Sequence, residues 1–206
     1  MTARDQRPGS TPDEPARLQA EVQRLSVQYP GGFAARYRWS GSGRAEDVFG
    51  ISESEGGLSD YGTLVDPNPD ALCRAELRVE GPTARWTARF ASVVFDEPEA
   101  VLLDTAGLLV VRFGFRVYAL VARTGELAWT YESGTPTVVV LGSARLEHIL
   151  LQTELETIAL RADGTVAWRA AHSDVVTEAR LIAGRLDLTT YSGQHVYLDA
   201  RTGEEG

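Results

Sequence analysis

The hydrophobic positions of the chain fall into two regimes. Between Ala16 and Gln28, Leu18, Val22 and Leu25 recur at helical spacing. Pro30-Gly31-Gly32 follows as a stop, so the pattern predicts one short N-terminal helix. After about Ala71 the period shortens to that of strands. Val138-Val139-Val140-Leu141 and Ile149-Leu150-Leu151 are short apolar runs suited to strands covered on both faces. Leu186-Asp187-Leu188-Thr189-Thr190-Tyr191 alternates instead, as a strand with one wet face does. Thr124-Gly125, Asp163-Gly164 and Thr202-Gly203 carry the turn chemistry of hairpins. Short strands cut by turns every 8 to 12 residues or so indicate a sandwich, a barrel or a propeller.

Two stretches escape both regimes. Residues 1–16 are rich in Pro, Gly, Ser, Thr and charge and are expected to form a disordered tail ahead of a single domain, 17–206. Residues 40–69 carry Gly41, Gly43, Gly56, Gly57, Pro67 and Pro69 among acidic residues. They are expected to form a long acidic loop or a poorly formed strand pair.

Self-comparison narrows the architecture. The segment from Val117 to Trp129, VYALVARTGELAW, aligns with Thr157 to Trp168, TIALRADGTVAW, and again with Val196 to Gly203, VYLDARTG. A weaker copy runs from Cys73 to Gly81 and is followed by Trp86. The tryptophans at 39, 86, 129 and 168 are spaced by 47, 43 and 39 residues, near the length of one four-stranded blade.

The pattern Ala119-x-x-x-x-Thr124-Gly125-x-x-x-Trp129 resembles the tryptophan-docking motif of quinoprotein-type (PQQ-like) β-propellers. A second copy, from Ala159 to Trp168, is one residue shorter, has Asp163 in place of the threonine and keeps Gly164. The resemblance covers roughly residues 70–206. It implies an all-β, propeller-like stack of about three to four four-stranded antiparallel blades, in which the motif spans the third and fourth strands of one blade and its tryptophan packs on the next. Trp39, Trp86, Trp129, Trp168, Gly125 and Gly164 are the docking residues so implied. A blade has two apolar faces and cannot bury both alone, which is the physical reason for stacking. Phe33-Ala34-Ala35-Arg36-Tyr37-Arg38-Trp39 reads as a lone strand that completes the last blade and closes the ring. The competing arrangement is an open arc of about three blades whose edges are capped or covered in a homodimer.

Composition then limits function. The chain has 206 residues, a formal charge of −9, a single cysteine and no lysine. Arginine as the sole strong base fits the coding bias of a GC-rich bacterial genome, and it excludes a phosphate-binding Gly-Lys-Ser/Thr loop and a lysine Schiff base. The acidic balance speaks against nucleic acid and favours a basic protein partner. The absence of a long apolar run and of a hydrophobic leader gives the expectation of a cytoplasmic protein without a membrane span.

No catalytic constellation is legible. Quinone-dependent dehydrogenases of the resembling family need a larger ring, calcium and a catalytic aspartate, so no cofactor is expected. His148, His172 and His195 form no short metal-spacing pair, and Cys73 reads as a small core residue. Asp66-Pro67-Asn68-Pro69-Asp70 imitates the opening of a calcium loop, but Ala71 replaces the required glycine and Leu77 the closing glutamate. The leading expectation is therefore a non-enzymatic protein-binding scaffold. One version is an immunity or inhibitor protein that covers a basic partner through the acidic residues Glu53, Glu55 and Asp60. The alternative is a small-ligand sensor or hydrolase with Asp104, Asp187, His148 and His195 meeting in a central channel.

Overall fold

A run of apolar residues on both faces of a strand can be buried only between two neighbouring sheets, and the chain folds accordingly. The structure is a computed structural model that describes residues 22–42, the backbone of 57–61, and 73–206. Blade 1 contains β1 (Gln23–Tyr29), β2 (Phe33–Ser42), β3 (Gly57–Tyr61), β4 (Cys73–Glu80) and β5 (Arg85–Ser92) in the order β1-β2-β4-β5-β3. Blade 2 is the meander β6 (Glu99–Leu103), β7 (Leu108–Phe113), β8 (Arg116–Val121) and β9 (Leu127–Glu132). Blade 3 repeats it with β10 (Thr137–Leu141), β11 (His148–Thr153), β12 (Glu156–Arg161) and β13 (Val166–Ala171). Blade 4 has three strands, β14 (Val176–Ile182), β15 (Arg185–Thr190) and β16 (His195–Asp199), with a bridge from Leu198 to Glu205 beyond them.

Three core clusters join the blades in sequence. Leu77, Phe90, Phe113 and Tyr118 belong to the first, between blades 1 and 2. Val110, Val140, Ile149 and Leu160 belong to the second, between blades 2 and 3. Leu150, Val176, Leu186 and Leu198 belong to the third, between blades 3 and 4. Among the described residues no cluster joins blade 4 back to blade 1. The described residues therefore form an arc of four blades.

The docking motif has a simple geometry. Ala119 lies directly opposite Trp129 across β8 and β9, and Ala159 lies opposite Trp168 across β12 and β13, so a small residue leaves room beside each indole. Each indole then lies over the hairpin glycine of the following blade. Trp86 meets Gly125 and donates its N–H to the Ala122 carbonyl at 2.9 Å, and Trp129 meets Gly164 and donates to Ala162 at 2.8 Å. Gly125 and Gly164 have φ of 76° and 84°, where a side chain would be strained. A Cβ on Gly125 would also stand 2.6 Å from the Trp86 ring. Trp168 lies over Gly203 in the same way, but its N–H finds no acceptor. The corresponding carbonyl, that of Ala200, is taken by His148 Nε2 at 2.8 Å, with the imidazole edge-on to the indole.

Three expectations are corrected. The helix expected over 16–28 is strand β1 from Gln23 onward, while its first part and the tail 1–16 lie outside the described residues. The glycines at 31 and 32, with φ of 77° and 78°, do not stop a helix. They turn β1 back onto β2 in register from Tyr29↔Phe33 to Gln23↔Trp39. The strand around Trp39 does not close a ring through blade 4. It pairs with β4 inside blade 1, and Trp39 is buried in the first core cluster. Most of 40–69 lies outside the described residues. Ser40 to Ser42 end β2, and 57–61 form β3, parallel to β5.

Candidate functional site

The residues singled out in the sequence do not converge. Glu53, Glu55 and the Asp66–Asp70 segment lie outside the described residues. Asp60 occupies the register position opposite Arg89, in a cross-strand row with Glu76, Arg38 and Arg24. His148 is buried between blades on the Ala200 carbonyl. Asp104 lines a cavity of about 370 Å³ with Tyr29, Leu102 and Ser143. Asp187 and His195 do meet, at 3.4 Å on the outer face of blade 4, but the other two members of the proposed channel site are elsewhere. Cys73 is buried, and that burial pushes its thiol pKa up, as for a core residue.

Blade 1 carries the densest charge. Alternation along β2, β4 and β5 puts Arg36, Arg38, Arg74, Arg78, Arg85 and Arg89 on the face turned away from blade 2, with Glu76 and Glu80. Glu76 has no exposed side-chain surface and binds Arg38 at 2.5 Å, Arg78 at 2.8 Å and Arg89 at 3.0 Å. Burial alone would raise its pKa. The hydrogen bonds and charges of these arginines outweigh that and hold the carboxyl below its usual range.

A different surface gathers the apolar side chains that water still reaches. Every blade-to-blade connection, and the turn between the second and third strands of blades 2, 3 and 4, lies at the same end of the arc. This end, the rim, holds Val93, Phe95, Leu155, Val175 and Tyr191, five of the eight large apolar residues exposed among those described. Phe95 and Tyr191 are 61% and 82% exposed. The loops that carry them are tied together. The Asp96 carboxylate accepts Gly114 N–H at 3.1 Å and the Arg112 guanidinium at 2.7 Å. Thr137 N–H bonds the Gly114 carbonyl, and Glu154 N–H bonds that of Pro136. His172 N–H bonds Leu155, and Tyr191 N–H bonds Val175. Below them Thr157 joins Gln152 to His172.

The rim is also acidic. Its arginines are occupied, Arg112 by Asp96 and Glu99, Arg116 by Glu132 and Arg169 by Glu156. Glu97, Glu154 and Asp174 have no cationic partner among the described residues. Hydrogen bonds from Ser192 hold the Asp174 carboxyl down at about 2, so it stays charged. These apolar residues were missed in the sequence because they are spread over four separate loops. The available signal was an apolar residue where turn chemistry calls for a polar one, as in Glu154-Leu155-Glu156.

No protein-family model matches the chain, and no curated protein is similar to it in sequence. Solved structures are similar in fold. The crystal structure of BamB from Moraxella catarrhalis superposes on 91% of this chain with a TM-score of 0.50 at 15% identity. HIRA(644–1017) covers 91% at a TM-score of 0.48 and 9% identity, and the mitotic checkpoint complex covers 85% at 0.47 and 14%. The chain spans 65% of the BamB structure, 53% of the HIRA structure and 72% of the checkpoint chain. The fold is that of a β-propeller.

Proposed function

We propose that the protein is a non-enzymatic scaffold that docks another protein. The observation that carries this reading is the rim, where five large apolar side chains stand in water on loops held by backbone hydrogen bonds. Exposed apolar residues scattered singly are ordinary, whereas a group on one connected surface is what a partner covers. The pair Asp187–His195, the nearest approach to a catalytic dyad, lies on the outer face of blade 4 beside Arg180, Arg185, Thr189 and Tyr197. The repeat is of quinoprotein type in this reading, on the support of an alanine opposite the docking tryptophan in blades 2 and 3. The net charge of −9 favours a basic partner, and an immunity or inhibitor role through Glu53, Glu55 and Asp60 is one version of it.

The test is native mass spectrometry of the tagged protein recovered from its own cell lysate, beside a Phe95→Ser/Tyr191→Ser variant. A stoichiometric protein partner held by the wild type and lost by the variant supports docking. A chain recovered alone, or with only a small bound mass, removes the scaffold reading, and a doubled mass replaces it with self-association.

A further inference from the structure

We infer that the rim recognises a basic segment carrying bulky apolar side chains, laid across blades 2 to 4. The inference rests on the scaffold reading and adds the chemistry of the partner and the place where it binds.

The geometry comes from the repeat. Successive loops bring Phe95, Leu155, Val175 and Tyr191 to one end of consecutive blades, so the apolar groups follow the line of the arc. Hydrogen bonds fix their order, from Asp96 through Gly114 and Thr137, then Pro136 to Glu154, Leu155 to His172, and Val175 to Tyr191. A line of fixed anchors suits an extended segment, which loses little by conforming to a surface that is already in place.

Charge decides the sign. Arg112, Arg116 and Arg169, on β7, β8 and β13, are each paired with a carboxylate of this chain. Glu97, Glu154 and Asp174, which have no cationic partner among the described residues, stand beside Phe95, Leu155 and Val175, their neighbours or near neighbours in the chain. Asp174 keeps its charge through its bonds to Ser192 and the Val175 amide. An acidic segment would meet repulsion at all three places, and a neutral apolar one would leave the carboxylates to be desolvated without a counterion. Arginine or lysine side chains that alternate with large apolar ones satisfy both demands. The opposite end of the arc lacks the combination, because Leu127 and Ile182 are its only exposed large apolar residues among those described.

The probe is a set of three fluorescent synthetic peptides of about twelve residues, roughly 40 Å when extended, alternating Arg with Leu, Glu with Leu, and Arg with Ser. Fluorescence anisotropy with the full chain should show binding of the Arg/Leu peptide only, weakening steeply with salt. Phe95→Ser/Tyr191→Ser and Glu97→Gln/Glu154→Gln should each weaken it about tenfold, while Ile182→Ser at the far end leaves it unchanged. All five positions are on exposed loops or a strand end, and circular dichroism would confirm that the variants fold. Equal binding of the Glu/Leu peptide would overturn the charge assignment. Equal binding of the Arg/Ser peptide would reduce the effect to bulk electrostatics, and the absence of any binding would overturn the inference outright. A cellular partner whose capture is unaffected by the Phe95 and Tyr191 substitutions would sink the rim as the site and leave a scaffold standing.

Discussion

The middle and terminal blades differ in the faces that they show to water. In blades 2 and 3 the second strands are buried along their whole length, Leu108 to Phe113 and His148 to Thr153, because a neighbouring sheet covers each side. In blade 4, β15 alternates. Leu186 and Leu188 are buried against blade 3, while Arg185 and Asp187 turn to solvent. Blade 1 shares only the inward half of this pattern, with Ala75, Leu77 and Val79 against blade 2, because on its other face Glu76, Thr87 and Ala91 are buried too and Arg74 and Arg78 are only partly exposed. End repeats with a polar outer face are what limits a stack of blades. A further blade laid on the outer face of blade 4 would have to desolvate Arg185 and Asp187 rather than bury apolar surface.

The strongest way to break the comparison is at the joints. Trp86 is almost wholly buried between blades 1 and 2 and hydrogen-bonded to Ala122. Trp86→Ala should cost about 3–5 kcal/mol in urea denaturation. Trp129 docks in the same manner but is only partly buried, so Trp129→Ala should cost less, about 2–3 kcal/mol. Equal costs would mean that indole burial does not set the strength of a joint. Gly125→Ala attacks the first joint from the other side, and should cost about 1–3 kcal/mol by pushing a methyl group into the Trp86 ring at a positive φ.

At the end face of blade 1 the decisive residue is Glu76. Glu76→Gln leaves Arg38, Arg78 and Arg89 gathered around a neutral group. The cost should be about 3 kcal/mol, the low end for breaking a buried ion pair, since the arginines keep some water. Its folded pKa lies below the usual 4.5. The stabilisation is therefore complete above about pH 4.5 and is lost as pH falls through the lower, folded value. Wild type and Glu76→Gln should converge in stability at low pH, and parallel curves would refute the assignment.

At the outer face of blade 4, Asp187→Val adds an apolar side chain where no sheet covers it. Stability should change by no more than about 0.5 kcal/mol, but sedimentation should detect concentration-dependent association. The same kind of exchange reversed in a middle blade, Val110→Asp, should prevent folding, since Val110 is fully buried.

The sequence made the joints legible because the docking motif is local, an alanine, a turn glycine and a tryptophan within eleven residues of each other. The alternation in β15 likewise marked a strand with one exposed face, which the structure places on the terminal blade. Blade 1 was harder for a physical reason. Along β1, Leu25, Val27 and Tyr29 do alternate at strand period, but Leu18, Val22 and Leu25 also fall at helical spacing, and over so short a segment the two patterns compete. Trp39 fitted the blade spacing by coincidence, and only its pairing with Ala75 in β4, far along the chain, places it. The rim was invisible for the same reason, since Phe95 and Tyr191 become neighbours of one surface only when the blades stack.

The smallest effect concerns the joint between the last middle blade and the terminal one. Thr157 donates its proton to Gln152 Oε1 at 2.6 Å, so the 2.8 Å contact with His172 has the imidazole Nε2–H as donor. Burial lowers the His172 pKa, and the charges of Glu205 and Glu156 only partly restore it. The unfolded chain, with an ordinary histidine near pH 6.5, therefore takes up a proton before the folded one does. Stability is unaffected well above that pH and declines as pH falls from about 6.5 toward the folded value. His172 N–H and the neighbouring Val176 N–H bond to Leu155 and Glu154, so the loss should first loosen the attachment of blade 4. Hydrogen exchange at Val176 and Tyr191 should accelerate between pH 6.5 and 5.5 relative to Ile158 and Leu160, after correction for intrinsic rates. His172→Gln should abolish the difference. Uniform acceleration across blades 3 and 4 would show that the end blade unfolds with the middle of the arc, and the two regions would then form one cooperative unit.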